Sequence, residues 1–296
     1  MNRKILKTIT PYLLILPFVL IMLFIFLGGI SQAILQSLGY LPVFGMDEIT
    51  LSHYLQVFAN SRFRSSLGYT IYIAFTSASL SVIFGVAIAF LVHDTKRGEK
   101  LAYTLYKTPI IIPHVVVVIL IIQIFSQSGI ISRGLFALGL LENALDFPLF
   151  INDRAGIGII LTYLYKQIPF VTLVVFTVLK KLNNTYVKIA QNLGASQFQI
   201  LKQVLSPLLA PSILSSFLIT FAFAFGAFEV PFLLGSPARV TLPILAYTDF
   251  RSPVLASRPT AMATSIVIAV IALGLILIYL RLFKRLTKQD LEGEII

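Results

Sequence analysis

Ionisable side chains inside apolar runs are the first places to look for chemistry, because a charge in hydrocarbon is costly unless it is paired or lines a wet cavity. Two stand out. Lys166 lies in Tyr-Lys-Gln-Ile-Pro-Phe, and Glu229 in Phe-Glu-Val-Pro-Phe-Leu-Leu-Gly. Either they pair with each other or one of them faces a solute path, and a path-facing Glu229 would suit a cationic solute. Phe217, Phe221, Phe225, Phe228 and Phe232 follow a helical stripe around Glu229. Such a stripe can line a pore and gate it by dewetting, or it can pack in a core or against lipid. Other chemistry is scarce. The three His, at 53, 93 and 114, show no H-E-x-x-H or paired spacing, so no metal ligand and no catalytic residue is assigned. His114 is expected between helices. Without any Cys there is no thiolate nucleophile or thiolate metal site. No G-x-x-x-x-G-K-[ST] occurs, so the chain itself does not hold ATP in a phosphate loop.

The elements that must position these residues follow from composition. The chain has 296 residues, 57% of them hydrophobic and only 12% charged, with a mean hydropathy of +0.92. A soluble domain carries about 25% charged residues. The deficit excludes disorder, a disulfide scaffold and almost any water-soluble globule, and leaves an integral membrane protein, which its apolar spans make an all-α one in expectation. Six stretches are long enough to cross a bilayer, near 12–38, 67–93, 106–126, 156–179, 208–234 and 260–283. The first follows a basic leader, Arg3, Lys4 and Lys7, but its apolar run is too long for a signal peptide and reads as an uncleaved span.

A net charge of +11 would suggest nucleic acid in a soluble protein. Here it resolves along the chain. Segments 1–11, 94–107, 180–207 and 281–296 hold fifteen of the 23 Lys and Arg, including eleven of the twelve Lys. The intervening loops hold seven, all Arg: Arg62, Arg64, Arg133, Arg154, Arg239, Arg251 and Arg258. That asymmetry predicts both termini in the cytoplasm and a lipid bilayer, not nucleic acid, as the partner. The outer loops, near 39–66, 127–155 and 235–259, are too short to be separate domains. Ser77, Ser81, Gly85 and Ala89 recur every four residues and form a flat stripe for close helix approach, and Ala222 and Gly226 repeat the idea in the fifth span. Pro109, Pro113 and Pro169 are expected to kink the third and fourth spans.

The inner segment 183–211 reads NNTYVKIAQNLGASQFQILKQVLSPLLAP. It predicts a short helix near 185–193 ended by Gly194, then a second opened by Ser196 with Gln199 completing a capping box. Phe198, Leu201, Val204 and Leu208 would share one face. Such an elbow can lie on the lipid surface or dock on a protein.

This segment resembles the signature of permease subunits of binding-protein-dependent ABC importers, the group that includes the maltose and polyamine permeases: Glu-Ala-Ala, three residues, Gly, nine residues, Ile-x-Leu-Pro. Gly194 and Pro207 stand thirteen apart as the signature requires, Ala190 matches the second Ala, and Val204 replaces Ile. Lys188, Ile189 and Ser206 depart from Glu, Ala and Leu. Gly-Ala-Ser at 194–196 and Pro-Leu-Leu-Ala-Pro at 207–211 look like the spermidine/putrescine branch.

The resemblance implies a six-helix type I ABC importer permease in a bacterial cytoplasmic (inner) membrane. Residues 1–65 would hold the leader, an added first helix and the first outer loop. Residues 66–283 would form the core with a coupling loop at 183–207, and 284–296 a cytoplasmic tail. Lys188, Ala190, Gly194, Ala195, Ser196, Phe198 and Pro207 would meet a separate ATPase. The substrate path would involve Glu229, Phe225, Phe221 and Lys166. Implied partners are a second permease, as a homo- or heterodimer, two ABC ATPase subunits that bind the ATP and Mg, and an extracytoplasmic solute-binding protein. The solute implied is a polyamine first, then iron(III), thiamine or another small solute. The rival reading, a stand-alone secondary transporter or channel, predicts internal repeats and more mid-membrane charge, and a membrane enzyme would need a His or acid cluster.

Overall fold

A computed structural model describes residues 3–94, 109–182 and 185–292. Among these the chain is helical, with one isolated bridge, Leu41 to Met46, in place of any sheet. Six helical stretches are long and apolar enough to cross a membrane: 10–37, 61–92, 114–137, 157–181, 200–226 and 255–281. The all-α, six-span expectation therefore holds. Most of the expected inner loop 94–107 lies outside the described residues, as do 183–184 and 293–296.

The chain forms two compact units, Met1–Phe63 with Leu245–Ala269, and Arg64–Ile244 with Val270–Ile296. The first is built on α1 (Arg3–Ser37) and α2 (Ser52–Ala59). The first span of α1 is exposed from Thr10 to Ile30, as an apolar helix meant for lipid would be. Ser37 at its end shares a 2.7 Å hydrogen bond with the Tyr54 hydroxyl. In the same unit the Arg258 guanidinium lies 5.4 Å over Phe44 and 5.3 Å over Phe250.

The second unit carries the site. Its helices are α3 (Ser61–Asp94), α4 (His114–Phe125), α5 (Ile130–Ala137), α6 (Ile157–Lys181), α7 (Thr185–Asn192), α8 (Ser206–Gly226) and α9 (Glu229–Leu234). Helices α10 (Leu242–Phe250) and α11 (Arg258–Glu292) each run from one unit into the other.

Helix α6 is the axis of this unit, packed against α4, α8 and α9 and meeting the small-residue stripe of α3. Ser77, Ser81, Gly85 and Ala89 are all buried. The close approach is sealed by polar bonds between helices. Ser81 Oγ donates to Gln167 Oε1 at 3.1 Å, Thr172 Oγ1 donates to the Gly85 carbonyl at 3.2 Å, and Gln167 Nε2 donates to the Thr220 carbonyl of α8 at 3.3 Å. A Cβ on Gly85 would fall 2.7 Å from Val171 Cβ and 3.1 Å from the Ile168 carbonyl oxygen. Gly85→Ala is therefore expected to destabilise by about 1–3 kcal/mol through overpacking, and Gly85→Leu by more. A thermal-unfolding midpoint in detergent unchanged by either substitution would refute this packing.

Two spans differ from the sequence expectation. The third breaks outright where a kink is predicted: residues 109–111 are helical, Pro113 is extended (φ −59°, ψ 146°), and α4 starts afresh at His114. Pro169, by contrast, lies within an uninterrupted α6. The fifth span, expected to run over 208–234, ends at Gly226. Ala227 is extended (ψ 136°), and a new helix starts at Glu229. Pro231 favours the break, having no N–H to give and a ring that crowds the carbonyl four residues back, that of Ala227; Pro169 in α6 and Pro211 in α8 are carried by continuous helices, so a proline alone does not impose it.

Candidate functional site

The broken ends of the third and fifth spans meet beside the middle of α6. A helix that stops inside a membrane leaves carbonyls without intrahelical partners, and an ammonium is a natural cap for them. Lys166, nine residues into α6, does this. Its Nζ donates to the carbonyls of Pro109 at 2.8 Å, Ile110 at 3.0 Å and Ile112 at 2.5 Å. Of the two expected arrangements, pairing with Glu229 is thus not the one found: among the described residues no ion pair joins them.

Around this cap lies a cavity of about 240 Å³, lined by Ile110, His114, Lys166, Gln167, Thr220 and Phe223 among others. His114 and Phe223 also line an adjoining cavity of about 430 Å³, which reaches Gly226, Ala227 and Glu229 at the break in the fifth span. The shared wall is aromatic. The His114 ring stacks on Phe223 with centroids 5.0 Å apart and planes at 24°, and Tyr163 meets the same ring edge-on at 6.3 Å. The Tyr163 hydroxyl is buried and has no hydrogen-bond partner among the described residues. The cleft therefore offers a flat aromatic surface and a carboxylate at one end, while near the other the Gln167 amide is already bonded to Ser81 Oγ and the Thr220 carbonyl, and the Thr220 hydroxyl donates to the carbonyls of Ser216 and Phe217.

Of the residues expected on the path, Lys166 and Glu229 line this cleft. Phe221 and Phe225 do not line either cavity: they are 8% and 1% exposed and stack with Phe217 in a ladder with centroids 6.0 and 6.1 Å apart. Phe228 and Phe232 stack separately at 5.0 Å across the start of α9. Phe223, which faces the cavity, lies off that stripe and carries no sequence signal of its own. His114 did carry one, since it follows Pro113 directly and so opens a helix.

The elbow at 185–206 is a second constellation. Helix α7 ends in a Schellman motif: Ala195 N–H donates to the Ala190 carbonyl at 3.0 Å, Gly194 N–H to the Gln191 carbonyl at 2.9 Å, and Gly194 takes the left-handed φ of +81° that this closure needs. The capping box follows at once, with Ser196 N–H donating to Gln199 Oε1 at 2.8 Å and Gln199 N–H to Ser196 Oγ at 3.3 Å. Ala190, Gly194, Ala195 and Ser196 thus build one fixed bend. Lys188 and Pro207 are exposed, Pro207 in the first turn of α8.

The apolar face expected over 198–208 is corrected. Residues Ile200–Leu205 form a π-helical turn, which advances the register by a residue and rotates the two ends out of phase. Ile200 and Leu209 become the buried residues, and Phe198 is 69% exposed, beside Leu193 at 82%.

Comparison with known proteins decides what such a chain is. The pattern of the family described as "Binding-protein-dependent transport system inner membrane component" matches residues 81–288. The chain belongs to this family. The chain is similar over 188 residues, at 27% identity, to the sn-glycerol-3-phosphate transport system permease protein UgpA of Yersinia pestis. That match spans 62% of either chain. It is 25% identical over 280 residues to the trehalose/maltose transport system permease protein MalF of Thermococcus litoralis, covering 91% of this chain and 92% of that one. In the fold it is similar to a chain in the crystal structure of a bacterial alginate ABC transporter in complex with an alginate pentasaccharide-bound periplasmic protein. The TM-score is 0.76 at 21% identity, over 96% of this chain and 98% of the other. The polyamine-branch expectation finds no support in these relatives, whose names point to sugar-type systems.

Proposed function

We propose that this permease forms half of the translocation path of an ATP-driven importer for a small polyhydroxylated solute of the sugar or sugar-phosphate type. Its orientation puts both termini in the cytoplasm, as the Lys asymmetry requires. It works with a second permease, two ABC ATPases that bind ATP and Mg, and an extracytoplasmic solute-binding protein, and it carries out no catalysis itself. The elbow 183–207 transmits ATPase closure to the bundle, tilting it between outward- and inward-open states. Its rigid double cap and the exposed Leu193 and Phe198 support this role, since an apolar knob on a charged, non-spanning segment marks a contact surface.

One observation carries the solute class: a mid-membrane cleft with a stacked His114–Phe223 wall, a single carboxylate and an ammonium already occupied by backbone carbonyls. A polyamine cation gains from each carboxylate that faces it and is repelled by a nearby ammonium. A sugar ring needs an aromatic face and a few oriented polar groups. Proteoliposomes holding the permease pair, the ATPases and the cognate binding protein test the reading: uptake should require ATP and all subunits. Uptake by the permease alone would overturn it in favour of a secondary transporter.

Within that assay Glu229→Gln separates the carboxylate's role from assembly. A hydrogen bond to a charged group is worth about 1.5–3 kcal/mol against roughly 1 for a neutral one. The half-saturating solute concentration for uptake is expected to rise about fivefold, with the amount of assembled complex unchanged. Equal uptake curves for the two proteins would remove Glu229 from the path.

A further inference from the structure

The two cavities that share the His114–Phe223 wall differ in charge. The smaller carries an ammonium, Lys166, and the larger a carboxylate, Glu229. Their availability is opposite. An ammonium has three N–H groups, and that of Lys166 serves the carbonyls of Pro109, Ile110 and Ile112. It has no donor left for a guest, and three carbonyl dipoles share its charge. Glu229 is exposed on the wall of the larger cavity, and among the described residues no ion pair covers it. Its carboxylate accepts hydrogen bonds and donates none.

The backbone at the break adds to the same sign. Helix α8 is 21 residues long and ends at Gly226, where Ala227 turns away extended. The carbonyls of its last turn lack intrahelical partners and carry the negative end of the helix dipole. Gly226 and Ala227 both line the cavity. The next helix offers little to offset this: α9 has six residues, Glu229 itself stands in its first turn, and Pro231 has no N–H to present. The carboxylate and the carbonyl end of α8 thus meet at one cavity of about 430 Å³. A cleft lined by one sign of charge, with low-dielectric walls, concentrates its field and selects guests by charge.

We infer that this cavity is a charge filter with Glu229 as the specificity-determining residue: it admits uncharged sugars, whose hydroxyls donate to the carboxylate, and turns back sugar phosphates and acidic sugars. The inference rests on the sugar-type reading above and narrows it to the neutral members of that class. In the proposed orientation Glu229 lies beyond the end of α8 remote from the elbow, so an incoming solute meets it before Lys166. A cation that passed Glu229 would meet the ammonium next.

The chain has no Cys, and a Cβ on Gly226 would meet nothing within 4 Å. Gly226→Cys therefore places a single thiol on this wall without displacing a neighbour. Ala227→Cys, on the same wall, serves if the first variant does not fold. The full chain, in nanodiscs of zwitterionic lipid near pH 8, where an ordinary imidazole is neutral, is treated with two methanethiosulfonates, one bearing a trimethylammonium and one a sulfonate. Each rate is divided by that of the same reagent with a free small thiol. Any effect of Glu229 on ionisation of the thiol is common to both reagents and cancels in their ratio.

The cationic reagent is expected to be favoured several-fold, and adding Glu229→Gln should remove most of that preference. The inference is overturned if the two reagents react equally, or if the anionic one is favoured, which would mean a path for sugar phosphates. It is equally overturned if the preference survives Glu229→Gln, which would put its source elsewhere, or if neither reagent reaches the thiol, since no solute could then reach Glu229. No ATPase takes part, so a failure here leaves the importer reading standing, whereas loss of ATP dependence in the uptake assay strikes that reading alone.

Discussion

Gly194→Val is expected to abolish ATP-coupled uptake while the protein still inserts and assembles in the membrane. The argument is conformational. Gly194 has a φ of +81° and nothing within 4 Å of where a Cβ would stand, so a side chain meets no clash. What it meets is the left-handed region, which costs a non-glycine residue roughly 1–2 kcal/mol, most for a β-branched one. The Schellman closure between Ala195 and Ala190 depends on that φ, and with it the angle between α7 and the capped turn at Ser196. A small energy suffices, because the elbow must hold one shape while a partner pushes on it. The series therefore discriminates: Asn, which tolerates the left-handed region, should retain most uptake, Ala should lose part of it, and Val nearly all. ATPase activity stimulated by the binding protein should fall in the same order. Equal loss in Asn and Val would point to contact with the glycine itself and would refute the conformational account.

Lys166→Met is the second large effect. The thioether keeps the length of the side chain but leaves the carbonyls of Pro109, Ile110 and Ile112 without their shared donor. A hydrogen bond from a charged group contributes about 1.5–3 kcal/mol, and three carbonyls share this one cation, so a loss of about 3 kcal/mol is expected. It should appear as a lower unfolding midpoint in detergent, together with a looser His114, which starts the next helix two residues after Ile112. Lys166→Arg should recover part of the stability, since a guanidinium still donates to carbonyls, though its fixed fork cannot reach all three equally. A Lys166→Met protein as stable as the wild type would show that water, and not the ammonium, satisfies the break.

Much of this molecule is written locally. Gly194, Ser196 and Gln199 act through backbone bonds within a few residues, so the double cap of the elbow is readable from their order alone, as are the membrane spans from their length and the buried face of α3 from the four-residue spacing of Ser77, Ser81, Gly85 and Ala89. The π-helical turn at Ile200–Leu205 was not readable: one residue of extra register changes which side chains are buried, and no residue type signals it. Pro231 marks a place where the fifth span can break, because it removes one hydrogen bond of a continuous helix, but Pro169 removes one from α6 without interrupting it, so packing and not residue type decided where the break falls.

The use of Lys166 could not be read from the chain. An ammonium inside a membrane must find oxygen, but carboxylate and carbonyl satisfy it equally in principle, and only the three-dimensional placement of the broken third span put carbonyls closer than Glu229. The same holds for Phe223. Its stacking on His114 joins residues more than a hundred positions apart, and the Phe221–Phe225 ladder, which has the better periodicity, is packed away. Periodicity along a helix identifies a face. Which face meets the cleft depends on the helices around it, and that is settled by tertiary packing.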